Sequence, residues 1–113
     1  MALRLYTDHP KTLLHQILKL IDDGQIRTWS YDSDGDFTHT AAQYEKKAWL
    51  HPEIKADSLR LRIIAPEREE LTRAVYAIYH GRFIEMAITH VPAHFTRAVA
   101  WPKPSNDEPE LVE

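Results

Sequence analysis

Leu3 and Leu5 alternate with Arg4 and Tyr6, the period of two that marks a half-buried strand. Pro10 then follows Asp8 and His9, and Leu13, Leu14, Ile17, Leu18 and Ile21 recur at helical spacing. Gly24 suits the left-handed position just past a helix end, so the pattern predicts a helix over about 10–23. Stretches 26–31 and 37–40 are rich in β-branched and aromatic residues. Between them Asp32-Ser-Asp-Gly-Asp36 favours a turn with positive φ, and the three pieces together predict a β-hairpin. The composition of 41–50 predicts a short helix, ended by His51-Pro52 because the residue before a proline avoids helical backbone. Leu59, Leu61 and Ile63 alternate with Arg60, Arg62 and Ile64 in a further strand.

Pro66 opens a second helix with Glu67, Glu69 and Glu70 in its first turn and Leu71, Val75 and Ile78 on its apolar face. Gly81 leaves two readings: a helix end followed by a strand, or a longer helix that tolerates glycine at about 1 kcal/mol. Glu85, Met86 and Ala87 are good helix formers and Pro92 is a natural stop, which favours one helix over about 67–90. A last strand follows over 95–101. The order β-α-β-β-(α)-β-α-β predicts an α+β fold: a predominantly antiparallel four- to five-stranded sheet with two main helices packed on one face. Its final β-α-β unit offers a parallel pair through a right-handed crossover.

The length, 113 residues, fits one domain, read as 1–102. Beyond it, 103–113 is proline-rich and acidic and is expected to be a disordered tail. The formal net charge of -3 sits in that tail, which leaves 1–102 neutral and without the positive footprint of a general nucleic-acid binder. Absent cysteine excludes a disulfide scaffold, a zinc-thiolate centre and a thiol nucleophile. No run approaches the ~18 apolar residues of a membrane span, and the first residues carry no secretory pattern, so a cytoplasmic protein is expected. With three glycines no phosphate-binding loop can be written, and no Gly-x-Ser-x-Gly elbow is present. The sequence therefore assigns no catalytic residue and no cofactor, and leans away from an enzyme.

Four groups of residues bear on function. Asp32, Asp34 and Asp36 have the alternation of a calcium loop, but Gly35 stands at the fourth loop position and Gln43 at the twelfth, so a solvated hairpin turn is expected. His80, Glu85, His90 and His94 are chemically adequate for zinc, although Pro92 keeps the last two histidines off one helix face. Projected on a helix, Arg82 and Glu85 fall on the face of Leu71, Val75 and Ile78. That placement reads as a semi-buried ion pair, or, with His80, as a polar pocket in which Arg82 clamps an anion and Glu85 acts as base. On the sheet, Arg4, Tyr6, Arg60 and Arg62 share the face away from the helices, with Arg27, Trp29 and Tyr31 expected beside them.

Arginines among aromatics suit either a protein interface or single-stranded nucleic acid. The neutral body favours the first. The expectation is a non-enzymatic protein-interaction module, a homodimer, whose surface draws on Arg4, Arg27, Trp29, Arg60, Arg62, Phe83, Ile84 and Ile88. The alternatives are a single-stranded nucleic-acid-binding domain and a small metal-dependent hydrolase.

Overall fold

The computed structural model describes residues 3–113. Its elements in chain order are β1 (Leu3–Tyr6), α1 (Pro10–Asp22), β2 (Trp29–Tyr31), β3 (Phe37–His39), β4 (Trp49–Ile54), β5 (Ser58–Ile64), β6 (Leu71–Thr72), α2 (Arg73–His90), β7 (Arg97–Ala100) and β8 (Leu111–Val112). A short 3-10 turn, Pro92–His94, separates α2 from β7. The fold is α+β, with a six-stranded antiparallel sheet in the order β2-β3-β4-β5-β1-β7 and a separate two-stranded pair, β6-β8. The first strand is thus interior, paired to β5 through Leu3↔Leu61 and to β7 through Leu3↔Ala100.

The alternation read from β1 and β5 sets the layers. Leu3, Leu5, Leu59, Leu61 and Ile63 point into one core cluster that also takes Leu13 and Ile17 of α1 and Tyr79 and Phe83 of α2. Both helices therefore lie on one face of the sheet. Pro10 occupies the first turn of α1, and Gly24 past its end takes φ +76. The hairpin forms as the sequence predicts: Trp29 pairs with His39 and Tyr31 with Phe37. In its turn Asp32 Oδ1 accepts the N–H groups of Asp34 and Asp36, each at 3.0 Å, and Gly35 supplies φ +80.

Three expectations are corrected. The short helix over 41–50 does not form; 41–47 is a turn, with both Tyr44 and Glu45 N–H on the Ala41 carbonyl, and the chain then enters β4. Six residues of β4 pair in register with β5, a gain that local helix propensity cannot match. Pro52 is tolerated there because β3 meets β4 only at Phe37↔Leu50, so the missing N–H falls where β4 has no neighbour on that side. The second helix begins at Arg73 rather than near 67, because Leu71 and Thr72 pair with Leu111 and Val112 and the Thr72 hydroxyl caps the Val75 N–H. It continues through Gly81, as expected. The final β-α-β unit does not add a parallel neighbour: β5 and β7 run the same way, but β1 lies between them and pairs antiparallel with both.

The expected disordered tail at 103–113 is instead bound to the body. Arg60 holds Asp107, the Arg73 guanidinium meets Glu113 at 3.0 Å, and Glu108 is buried with 8% of its surface exposed. Its Oε2 accepts the Ile63 N–H at 2.9 Å, a donor of β5 lying beyond the Leu3↔Leu61 pair. The composition of this stretch is poor in apolar groups, yet it carries the carboxylates that β5 leaves wanting.

Candidate functional site

The helix α2 is apolar on two sides. Tyr76, Tyr79, His80, Phe83, Met86 and Ala87 are buried and form one arc. Ala77, Gly81, Ile84 and Ile88 recur at intervals of four, three and four and form a second arc beside it. Of these, Ile84 is half-buried and the other three are exposed, Ile88 by 57%. Expectation had placed Leu71, Val75 and Ile78 at the centre of the buried face. The large aromatics decide it instead: Phe83 packs edge-on against Trp29 at 5.0 Å, and the Tyr79 hydroxyl bonds Thr38 Oγ1 at 3.0 Å and the Tyr44 carbonyl.

Where the second arc meets the end of β7 there is an open, mainly apolar groove of about 420 Å³, between Ala77, Gly81 and Ile84 on the helix and Ala100, Trp101 and Pro102 opposite. Gly81 contributes by omission, since a Cβ there would meet nothing within 4 Å. The groove wall also holds His80, which is only 4% exposed. Its Nδ1–H donates to the Tyr76 carbonyl at 2.7 Å, which leaves the lone pair on Nε2. Among the described residues that Nε2 has no hydrogen-bond partner, an omission that costs about 1–3 kcal/mol for a buried acceptor. Burial pushes the imidazole pKa down, against the opposing pulls of the Tyr76 carbonyl and the Glu108 charge, so the ring is neutral at pH 7. Tyr76 stacks on it with ring centroids 3.9 Å apart and donates its hydroxyl to the Trp101 carbonyl at 2.8 Å. Burial and the Glu108 charge raise that phenol to about 12. At the rim, Arg73 is engaged by Glu113.

The residues expected to act together are mostly apart. Trp29 and Phe83 are core residues, 1% and 0% exposed, and offer nothing to a partner. Trp29 and Tyr31 lie on the helix side of the sheet with Phe37 and His39, not beside the arginines. Arg27 is exposed and donates to the Gly24 carbonyl. On the outer sheet face Arg4 donates to Ser58 Oγ, while Arg60 and Arg62 both grip Glu53. Burial alone would raise the Glu53 carboxyl, but the two guanidinium groups outweigh it and hold it below its usual value.

Arg82 and Glu85 form no ion pair among the described residues. Arg82 instead donates to His39 Nε2 at 2.9 Å and lies over the Tyr44 ring, while Glu85 is exposed. The zinc set does not assemble either: His80 is buried, Glu85 and His90 are exposed, and these residues with His94 do not come within ligating distance of one another. Asp32, Asp34 and Asp36 do bring one carboxylate oxygen each within 4.8 Å, as the turn geometry requires.

The sequence identified Ile84, Ile88 and His80 but passed over Tyr76, Gly81 and Trp101. The four-three-four recurrence of Ala77, Gly81, Ile84 and Ile88 was a readable signal for the first of the two walls. The other wall depends on β7 returning beside β1, which no local pattern encodes. Comparison with known protein families, with curated proteins and with solved structures finds no match for this chain.

Proposed function

We propose that this chain is a non-enzymatic interaction module that pairs with a second copy of itself through the exposed arc of α2 and the free edge of β7. The observation that carries the reading is the row Ala77, Gly81, Ile84 and Ile88, apolar and exposed save for the half-buried Ile84, beside the sheet edge β7, whose one charged residue is Arg97 at its start. A helix apolar on two sides needs neighbours on both, and one chain supplies only one. A free edge strand whose last three residues, Ala98, Val99 and Ala100, are apolar is a template for another strand. A second copy brings both features at once, because a two-fold interface uses the same patch on each subunit.

Two observations support this over the alternatives. Arg60 and Arg62 spend their charge on Glu53 and Asp107, which weakens a phosphate-binding sheet face. The four side chains offered for metal hydrolysis do not converge. No helix among the described residues is long and apolar enough to cross a membrane. A cytoplasmic setting belongs to the same proposal and rests on the absence of cysteine.

Sedimentation velocity over a concentration series tests it. The expected result is a dimer that Ile88→Glu converts to a folded monomer, since Ile88 contributes little to the core of one chain. A wild-type protein that stays monomeric at every concentration overturns it.

A further inference from the structure

We infer that Arg82, held by His39 and Tyr44, is a binding site for a carboxylate monoanion, seated against the Nε–H and Nη2–H edge of the guanidinium. The inference goes beyond the pairing of two copies and lies elsewhere on α2. At about 100° per residue, Arg82 is turned by roughly 100° or more from each of Ala77, Gly81, Ile84 and Ile88.

The guanidinium is held in place without being neutralised. Its Nη1–H donates to His39 Nε2 at 2.9 Å, and its Cζ lies 5.1 Å from the centroid of the Tyr44 ring. His39 is itself fixed. It is 3% exposed, donates Nδ1–H to the Thr28 carbonyl at 2.6 Å, and stacks with Trp29 at 5.0 Å and with Tyr44 at 6.2 Å. A carboxylate in the place of that imidazole would orient the arginine and also spend its charge. A ring nitrogen with a lone pair orients it and leaves the charge for a ligand.

Among the described residues Arg82 has no ion pair and no second hydrogen-bond partner. Its unpartnered Nε and Nη2 reach solvent, since the side-chain polar atoms buried without a partner are Trp29 Nε1 and His80 Nε2. The edge on which a carboxylate takes two parallel hydrogen bonds is therefore open. The surrounding charge sets the valence of the ligand. The turn that carries Tyr44 adds exposed Glu45, Lys46 and Lys47, and exposed Glu85 stands three residues on from Arg82. Three cations against two acids leave one net positive charge, which suits a monoanion better than a phosphate dianion.

Acetate and inorganic phosphate make the test. Each is titrated at neutral pH and fixed ionic strength into the full chain labelled with nitrogen-15, followed by NMR. The expected result is that acetate shifts the Arg82 Nε–H and the Tyr44 amide saturably, and that phosphate needs a higher concentration. Arg82→Lys keeps the charge and loses the edge, and because the residue is only half-buried the variant folds. Its acetate affinity, read at the Tyr44 amide, should fall about tenfold. Shifts that do not saturate, phosphate bound as tightly as acetate, or an Arg82→Lys variant that binds acetate equally well would each overturn the site. Sedimentation of the same chain reads pairing separately. A monomer that binds acetate at Arg82 removes the dimer alone, and a dimer whose Arg82 Nε–H ignores acetate removes this site alone.

Discussion

Arg60 grips Asp107 with two parallel hydrogen bonds of 2.8 Å, joining β5 to a residue 47 positions further along the chain. The same guanidinium donates to Glu53 at 2.7 Å, so one cation ties two strands and the C-terminal segment. The hydrogen bond from Arg60 is the main reason the Asp107 carboxyl lies well below the usual carboxylate range, with Ser105 assisting. A depressed carboxyl stabilises the fold above its unfolded pKa, near 4, and that contribution is lost as pH falls through the folded value. Because Asp107 is half-exposed, the expected cost of Asp107→Asn at neutral pH is about 1 kcal/mol rather than the full value of a buried pair. Urea unfolding at neutral and strongly acid pH should show the deficit present in the first and shrinking in the second.

The buried imidazole gives a second pH dependence. The folded pKa of His80 is lowered, so near pH 6 the unfolded chain binds more protons than the folded one. The stability tied to the neutral ring is complete above about pH 6.5 and is lost as pH falls below it. Unfolding of the wild type followed from pH 8 to pH 5 should therefore show a declining arm that His80→Phe abolishes. An unchanged arm in the variant would assign the effect to another histidine.

The two arcs of α2 should respond differently to truncation. Phe83 is fully buried against Trp29 and Phe37, and Phe83→Ala should cost about 3–5 kcal/mol. Ile88→Ala, on the exposed arc, should change the stability of the single chain by no more than about 0.5 kcal/mol. Chemical denaturation at low protein concentration separates the two. Comparable losses at both positions would mean that Ile88 is covered within one subunit.

Gly81 sits inside α2 with open space where a Cβ would go. Gly81→Ala should then stabilise the chain by about 1 kcal/mol through helix propensity. The added methyl also narrows the groove and roughens the exposed arc. Thermal unfolding is expected to rise while self-association weakens. A variant improved in both would show that the glycine does not serve the pairing surface.

The parts legible in the sequence were those whose causes are local. The alternation of Leu3 and Leu5, the helical spacing from Leu13 to Ile21 and the Asp-Gly turn each dictated their own geometry. Helix continuity through Gly81 was decided correctly by the residues after it. What failed depended on partners far along the chain. Residues 49–54 read as a helix end until β5 is placed beside them, and Thr72 caps α2 where it does because Val112 pairs with it. Arg82 lay near Glu85 in sequence but meets His39, whose side chain arrives from β3 and is fixed by Thr28. The candidate groove was half legible for the same reason: its helical wall has a spacing, whereas Trp101 and Pro102 reach it through the return of β7.

The interior position of β1 has a kinetic consequence. The strands β2 to β5 are neighbours in the sheet and close in sequence, so that meander can assemble from short-range encounters. The first strand has no such neighbour: Leu3 waits for Leu61 on one side and for Ala100 on the other. Closing loops of that length before any pairing rewards them slows folding. During synthesis the meander can form while one flank of β1 still lacks β7, and the sheet is sealed only when β7 has emerged. Refolding is therefore expected in milliseconds to seconds, with protection of the Leu3 and Leu5 amides from hydrogen exchange appearing after that of β4 and β5.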